Sequence, residues 1–473
     1  MRSWIAILAA AAVLSAFAED PPDPKAEWDE MWPALAKSAA RAHVSVGMWA
    51  GSKKLYSEAS YEFQRAVELD PENSDAQKGL GRKLIGGAWV PNSKTPPKKG
   101  SEAPAADVPK LLADLEAKRK DCAGRLARQF TALAEWAEKK GLKEEASALW
   151  QQVVDFYDPT SDKAHAGIGH VKDDSMWVPP GDAEKRKDGA KRIADAPKGE
   201  AVNEKSEVER ALGVSHSKRR SKHFFVEGPY TDAQIAELIQ IAEAARGLFL
   251  ELVEADQDAC EISIHIMAYK EQDVYSRYVK ADPRVPENQK KAYATKDGYP
   301  AANPWAFCTW QGDRSWDYVR DWAAHMTVHV LLYEYHNVYH FPIWLIEGIS
   351  YWATDRLLHT AKFYCSPFTT TKEGGRDFED MREWKPEVKR LERMGLDPAL
   401  SDLFQMDELT MRGAMKVWSI VEWLVSERRK DFLKFVLALR NGSKPEEAVA
   451  AALGVKTLEK LDLMWKAYVR MSY

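Results

Sequence analysis

Cysteine is scarce in this chain: four residues in 473, Cys122, Cys260, Cys308 and Cys365, stand far apart with no C-x-x-C spacing. That argues against a zinc site built from cysteines. No sign of charge dominates either. The net charge is −5, with acidic and basic residues spread along the whole length, so nothing in the electrostatics points to nucleic acid. Long uncharged apolar runs are also missing. The run from Trp4 to Leu14 is shorter than the roughly 20 residues of a spanning helix, and the apolar stretch at Val330–Leu332 is soon interrupted by Glu334 and histidines. No membrane span is expected.

What is present begins with a basic Arg2, the apolar run, and Ala16-Phe17-Ala18 before Glu19. This is the pattern of a signal peptide over residues 1–18 with an A-x-A cleavage site. No cysteine follows the cut for lipid attachment. The expectation is a soluble protein exported to the periplasm or the extracellular space. Export permits a disulfide, and a pair among Cys260, Cys308 and Cys365 is favoured over one using Cys122. The chain is long enough for two or three domains, and its 18 tryptophans imply large cores or aromatic binding surfaces.

Residues 19–180 contain a duplication. Trp49-Ala50 and Trp136-Ala137, Leu55 and Leu142, and Glu58-Ala59 and Glu145-Ala146 are offset by 87; Asp70-Pro71 and Asp158-Pro159, Gly79-Leu80-Gly81 and Gly167-Ile168-Gly169, and Trp89-Val90-Pro91 and Trp177-Val178-Pro179 are offset by 88. One inserted residue accounts for the change. The copies cover about 34–91 and 121–179, with a loose Pro/Lys/Ala-rich connector at 92–110. Each reads as a helical hairpin, a short helix and an extended Trp-Val-Pro tail. Leu55, Ala59, Phe63, Ala66 and Leu69 form a helical stripe stopped at Asp70-Pro71. The segment Ala66-Val67-Glu68-Leu69-Asp70-Pro71 resembles the end of a tetratricopeptide repeat helix. That likeness implies an all-α array whose concave side takes a peptide or protein partner; a short array that only props up the rest of the chain is the alternative. Residues 181–221 are highly charged, including Lys218-Arg219-Arg220, and read as a solvated, partly helical linker rather than a basic binding patch.

Beyond the linker, His223–Val226 starts as a strand, Ile235–Leu252 has helical periodicity, Cys260–Met267 alternates as a strand, and Ala306–Trp310 reads as an edge strand beside a cleft. Then comes His325-Met326-Thr327-Val328-His329, followed by Trp344-Leu345-Ile346-Glu347-Gly348. Two histidines four apart lie on one helix face, so both imidazoles can reach one ion. Glu347, 18 positions after His329 and past a break at Phe341-Pro342, can supply a third ligand from the next helix. Zinc suits two neutral imidazoles and a carboxylate. In HExxH sites the residue after the first histidine is a glutamate that takes a proton from water; here it is Met326, which accepts none. The same histidines can equally be hydrogen-bonded core residues, and Met326 core filler. Four of the chain's 11 histidines, His325, His329, His336 and His340, fall within 16 positions. They lie on a stripe within about 60° on an unbroken helix, which suits a polar cleft. Asp321, one turn before His325, is a candidate acceptor for an imidazole N–H or a solvated helix residue, and His336 is a second candidate near the ligands. Glu334 faces away from His325.

The two histidines, the block Pro342–Tyr351 and the later run Val417-Trp418-Ser419-Ile420-Val421-Glu422-Trp423-Leu424 resemble the gluzincin branch of the zincin metallopeptidases. They resemble more closely the secreted bacterial proteins of unknown function that join such a domain to tetratricopeptide-like helices. The resemblance covers about 222–473. It implies an α+β fold in which all-α repeats precede a zincin-like domain of small sheet, active-site helix and helical lobe. It also implies that His325, His329 and Glu347 are the zinc ligands and that Met326 replaces the base. Active relatives often carry a tyrosine just before the tryptophan of the later run, where this chain has Gly413, Ala414, Met415 and Lys416, so a transition-state donor is missing as well. Three readings follow. The first is an exported zincin-like protein with impaired catalysis, serving as a binding or scaffold module through its repeats or its cleft. The second is a working metallopeptidase with an unusual base, and the third a metal-free structural repeat protein.

Overall fold

The computed structural model describes residues 23–94, 100–302, 304–336, 341–365, 372–373, 376–406 and 408–473. The expected signal peptide lies outside them, as do His340 and the side chain of His336. Helices predominate over strands, a mixed α+β composition. The chain divides into two compact units, Met1–Pro179 and Pro180–Tyr473.

In the first unit, helices α1 (Pro24–Ser52) and α2 (Tyr56–Leu69) are followed by a short α3 (Ser74–Gly79) and a hairpin of β1 (Arg82–Ile85) and β2 (Ala88–Pro91). The same order recurs as α4 (Val108–Lys139), α5 (Lys143–Gln152), α6 (Asp162–Gly167), and the hairpin β3 (Val171–Asp173) and β4 (Met176–Val178). The Trp-Val-Pro tails are therefore the closing strands of hairpins. Between α5 and α6 the helix widens to a π turn over Val153–Tyr157. That stretch falls where the repeat offset grows from 87 to 88, and a π turn is how a helix absorbs one extra residue without losing register beyond it. Side-chain contacts are duplicated too. Gln77 Nε2 donates to the Pro71 carbonyl at 2.6 Å, and His165 Nε2 lies 2.8 Å from the Pro159 carbonyl. Arg82 Nη1 donates to Gln77 Oε1 at 3.0 Å, where His170 and His165 pair through their Nδ1 atoms at 2.9 Å. Gly79 and Gly167 leave room for the rings of Phe63 and Trp150, which a Cβ at either position would strike.

The second unit begins earlier than a charged linker would allow. Residues 181–221 supply most of α7 (Pro180–Asp195), then β5 (Glu200–Ala201), α8 (Glu207–Leu212) and β6 (Ser217–Arg220). Several of their charges are partnered inside this unit, although others face solvent. Asp182 pairs with Lys385 at 2.9 Å, Lys218 donates to Glu209 at 2.6 Å, and Gln240 Nε2 reaches the carbonyls of Ile193, Ala194 and Ala196. A solvated linker is thus ruled out. β6 enters a six-stranded sheet with β7 (Phe224–Gly228), β8 (Ile264–Tyr269), β9 (Gly298–Ala301) and β10 (Ala306–Trp310), in the order β5-β6-β7-β8-β10-β9. The pairs β7–β8 and β8–β10 are parallel. The first is made by a crossover through α9 (Asp232–Leu252), which is opened by a capping box of Thr231 and Gln234. The second is spanned by α10 (Gln272–Ala281) and α11 (Glu287–Tyr293). β10 is not the edge. The edge on that side is β9, whose Pro300 has no N–H to give and so belongs on an outer strand.

After β10 come α12 (Trp316–His336) and α13 (Ile343–Leu357), then a short hairpin of β11 (Lys372–Glu373) and β12 (Arg376–Asp377). The remaining helices are α14 (Trp384–Met394), α15 (Leu400–Leu403), α16 (Met411–Glu427), α17 (Arg429–Arg440), α18 (Pro445–Leu453) and α19 (Leu458–Ser472). Every residue of α12 from Asp321 to Leu332 is buried. Its apolar members join two cores: Val319, Trp322, Ala323 and Val330 pack with Phe224, Ile235, Leu238 and Phe307, while Val328 and Leu331 pack with Trp344, Leu345 and the C-terminal helices. On a helix covered on all sides in this way, a polar residue costs free energy unless something satisfies it. The four cysteines are free thiols. The disulfide expected among three of them does not form because Cys260, Cys308 and Cys365 sit against three different hydrophobic clusters.

Candidate metal centre

The helical spacing of His325 and His329 stacks their rings at 4.8 Å. The turn through Pro342 starts α13 so that Glu347, in its first turns, faces them. Glu347 Oε2 lies 3.3 Å from His325 Nε2, and Oε1 lies 3.3 Å from His329 Nε2. All three residues are buried, with exposures of 1%, 8% and 4% for His325, His329 and Glu347. His325 Nε2 and Glu347 Oε2 have no hydrogen-bond partner. Two orphaned polar atoms converging in a dry interior cost free energy unless something between them satisfies both. Zinc bonds of 2.0–2.1 Å to nitrogen and oxygen in tetrahedral geometry place neighbouring donors about 3.3–3.4 Å apart, so the observed separations fit the ion.

The protonation states are those of ligands. Burial pushes the His325 imidazole below its usual value, against the pull of Glu347. Burial works to raise Glu347, but the electrostatic pull of His329 and the close approach of both imidazole nitrogens hold it well below the usual carboxylate range. The neutral imidazole and the ionised carboxylate are the metal-binding forms.

Two further side chains lie beside these three. Cys365, in the chain after α13, places Sγ 3.8 Å from His329 Nε2 and 3.8 Å from Met326 Sδ. The donor atoms of His325, His329, Glu347 and Cys365 all lie within 4.8 Å of one another. Burial, reinforced by the Glu347 charge, raises the Cys365 thiol well above its ordinary value. Tyr351, one turn after Glu347, is buried with its ring 4.9 Å from that of His325. Burial and the adjacent Glu347 charge likewise raise its phenol well above its ordinary value. The i, i+4 relation to Glu347 was the available sequence signal for Tyr351; Cys365 had none, because it reaches the site through an irregular segment.

The remaining candidates lie elsewhere. Asp321 is neither a solvated residue nor bonded to an imidazole: it is 1% exposed, and its two oxygens accept from Thr360 Oγ1 at 2.6 Å and the Lys362 amide at 2.7 Å. Burial, outweighing those bonds, pushes its carboxyl up to about 7. Glu334 is exposed and accepts from Trp305 Nε1 at 2.7 Å. Met326 is 5% exposed and packed in the core. Lys416, where the resemblance looked for a donor, is buried in ion pairs with Asp397 and Asp462.

Glycine at 348 is required by packing. A Cβ there would lie 2.8 Å from the Val417 carbonyl oxygen and 2.8 Å from Val421 Cγ2 on α16. Gly348→Ala must push α13 away from α16, at a cost of about 1–3 kcal/mol. We expect a lower unfolding midpoint in urea together with weaker metal retention, because Glu347 is the adjacent residue; an unchanged midpoint would mean that the two helices are not in firm contact.

Searches against protein-family models and curated proteins return no match for this chain.

Proposed function

We propose that the chain is an exported, zincin-like protein that holds one zinc ion at His325, His329 and Glu347, has lost most or all peptidase activity, and serves as a binding or scaffold module for a peptide or protein. The observation that carries this reading is the convergence of two imidazole nitrogens and a carboxylate, two of those atoms orphaned in the interior, with a thioether at the position of the proton acceptor. A zinc ion in such a site supplies Lewis acidity. The residues around it bind and orient, but the acids once available as substitutes are committed elsewhere, Asp321 to the 360–362 segment and Glu334 to Trp305. The duplicated tetratricopeptide-like unit is the candidate surface for the partner. Among the described residues no helix is long and apolar enough to cross a membrane.

Elemental analysis tests the metal. Wild-type protein is expected to purify with close to one zinc per chain, and His325→Ala, His329→Ala and Glu347→Ala to lose most of it. Equal, negligible zinc in all four proteins would leave the metal-free structural reading in its place.

A further inference from the structure

Resting on the assignment of His325, His329 and Glu347 as zinc ligands, we infer that Cys365 is a fourth protein ligand. The ion then occupies a closed, non-hydrolytic site of two histidines, one glutamate and one cysteine that fastens the chain after α13 onto α12. Catalytic zinc sites keep a coordination position open, whereas sites with four protein ligands are structural.

The donor distances support closure. With a zinc–sulfur bond of 2.3 Å and a zinc–nitrogen bond of 2.0–2.1 Å, tetrahedral neighbours lie about 3.6 Å apart. Cys365 Sγ is 3.8 Å from His329 Nε2. The widest separation allowed within the group, 4.8 Å, exceeds a tetrahedral edge by about 1.2–1.5 Å, within reach of a side-chain adjustment. The sulfur arrives beside Met326, on the side where a hydrolytic site would need its proton acceptor. Binding replaces the thiol S–H with an S–metal bond and releases one proton to solvent; no other bond changes.

The segment before Cys365 follows α12 at successive points. Thr360 Oγ1 and the Lys362 amide bond to Asp321. Phe363 lays its ring edge-on to His325 at 5.3 Å, and Cys365 meets His329. Asp321, His325 and His329 are spaced by four, one face of the helix, so the strap runs along the ligand face and ends with sulfur over the second histidine. This explains an otherwise isolated thiol: Cys365 is free of any disulfide, and its sulfur lies within 4.8 Å of donor atoms of His325, His329 and Glu347.

Full-length protein stripped with a chelator and loaded with cobalt(II) reads the sulfur directly. The wild type is expected to take up about one cobalt per chain and to show an intense sulfur-to-cobalt charge-transfer absorption. Cys365→Ser should keep the cobalt and lose that absorption, while Cys260→Ser keeps both. Cobalt bound without the charge-transfer absorption, or the absorption persisting in Cys365→Ser, would overturn the inference while leaving the three-ligand site intact. Failure of the wild type to bind cobalt would remove both. Should Cys365→Ser fold poorly, alkylation of the wild type by iodoacetamide gives the same information. Cys365 should be modified, in denaturant-unfolded chelated protein, at least about tenfold faster than in folded zinc-loaded protein, and folded chelated protein should differ from folded zinc-loaded protein, since coordination occupies the sulfur lone pair that attacks the reagent. Equal rates would contradict its coordination.

Discussion

Met326→Glu combined with Cys365→Ala should raise cleavage of an unfolded protein substrate about 10²–10⁴-fold above wild type, the span attributed to a positioned general base, while Met326→Glu alone stays at background. The single variant restores a proton acceptor but leaves sulfur in the fourth position; the double variant also leaves that position open. The gained activity should vanish with a chelator and with His329→Ala. Background activity in the double variant would mean that more than these two groups has been lost, with the stretch Gly413–Lys416 the first place to look. Strong, chelator-sensitive hydrolysis by the wild type would contradict the impaired reading altogether.

Lys416→Ala is expected to lower the unfolding free energy by about 1.5–3 kcal/mol, because it removes the buried partner of Asp397 and Asp462 and leaves them only the more exposed Lys466, 3.3 Å from each. Lys416 is 1% exposed. Its Nζ binds Asp397 Oδ2 at 2.7 Å, the Pro398 carbonyl at 2.6 Å and Asp462 Oδ1 at 2.5 Å, tying α16 to α19 and to the loop before α15. Because α16 also carries Val417 and Val421 against Gly348, loosening it should weaken zinc retention as well. Equilibrium denaturation in urea, with zinc content measured in parallel, checks both effects. A loss below about 1 kcal/mol, the scale of an exposed ion pair, would show that water reaches this cluster.

The candidate ligands from α12 and α13 were legible in the sequence because their geometry is local. A spacing of four places two histidines on one face, and a proline break lets the next helix return its Glu-Gly pair to them. The duplication was legible for a similar reason, and even its one-residue slip has a visible counterpart in the π turn at Val153–Tyr157. Cys365 was not legible as a ligand. It follows α13 through an irregular strap whose path is set by Thr360 and Lys362 finding Asp321, a contact across about 40 residues that no periodicity records. Residues 181–221 misled for another reason. Composition counts charges without showing whether they are paired, and Asp182, Glu209 and Lys218 each have a partner inside the second unit. Ala306–Trp310 was read as a strand but placed at the edge, because the short β9 that covers it consists of Gly-Tyr-Pro-Ala, a poor strand sequence tolerated only on an outer position.

X-ray absorption at the zinc edge of the purified, unmodified protein is the most direct test of a closed metal centre. The expected spectrum shows one sulfur at about 2.3 Å and three nitrogen or oxygen neighbours at about 2.0–2.1 Å around a four-coordinate ion. The sulfur contribution should disappear in Cys365→Ser. A zinc shell of nitrogen and oxygen alone in the wild type, or no zinc in the protein, would contradict it.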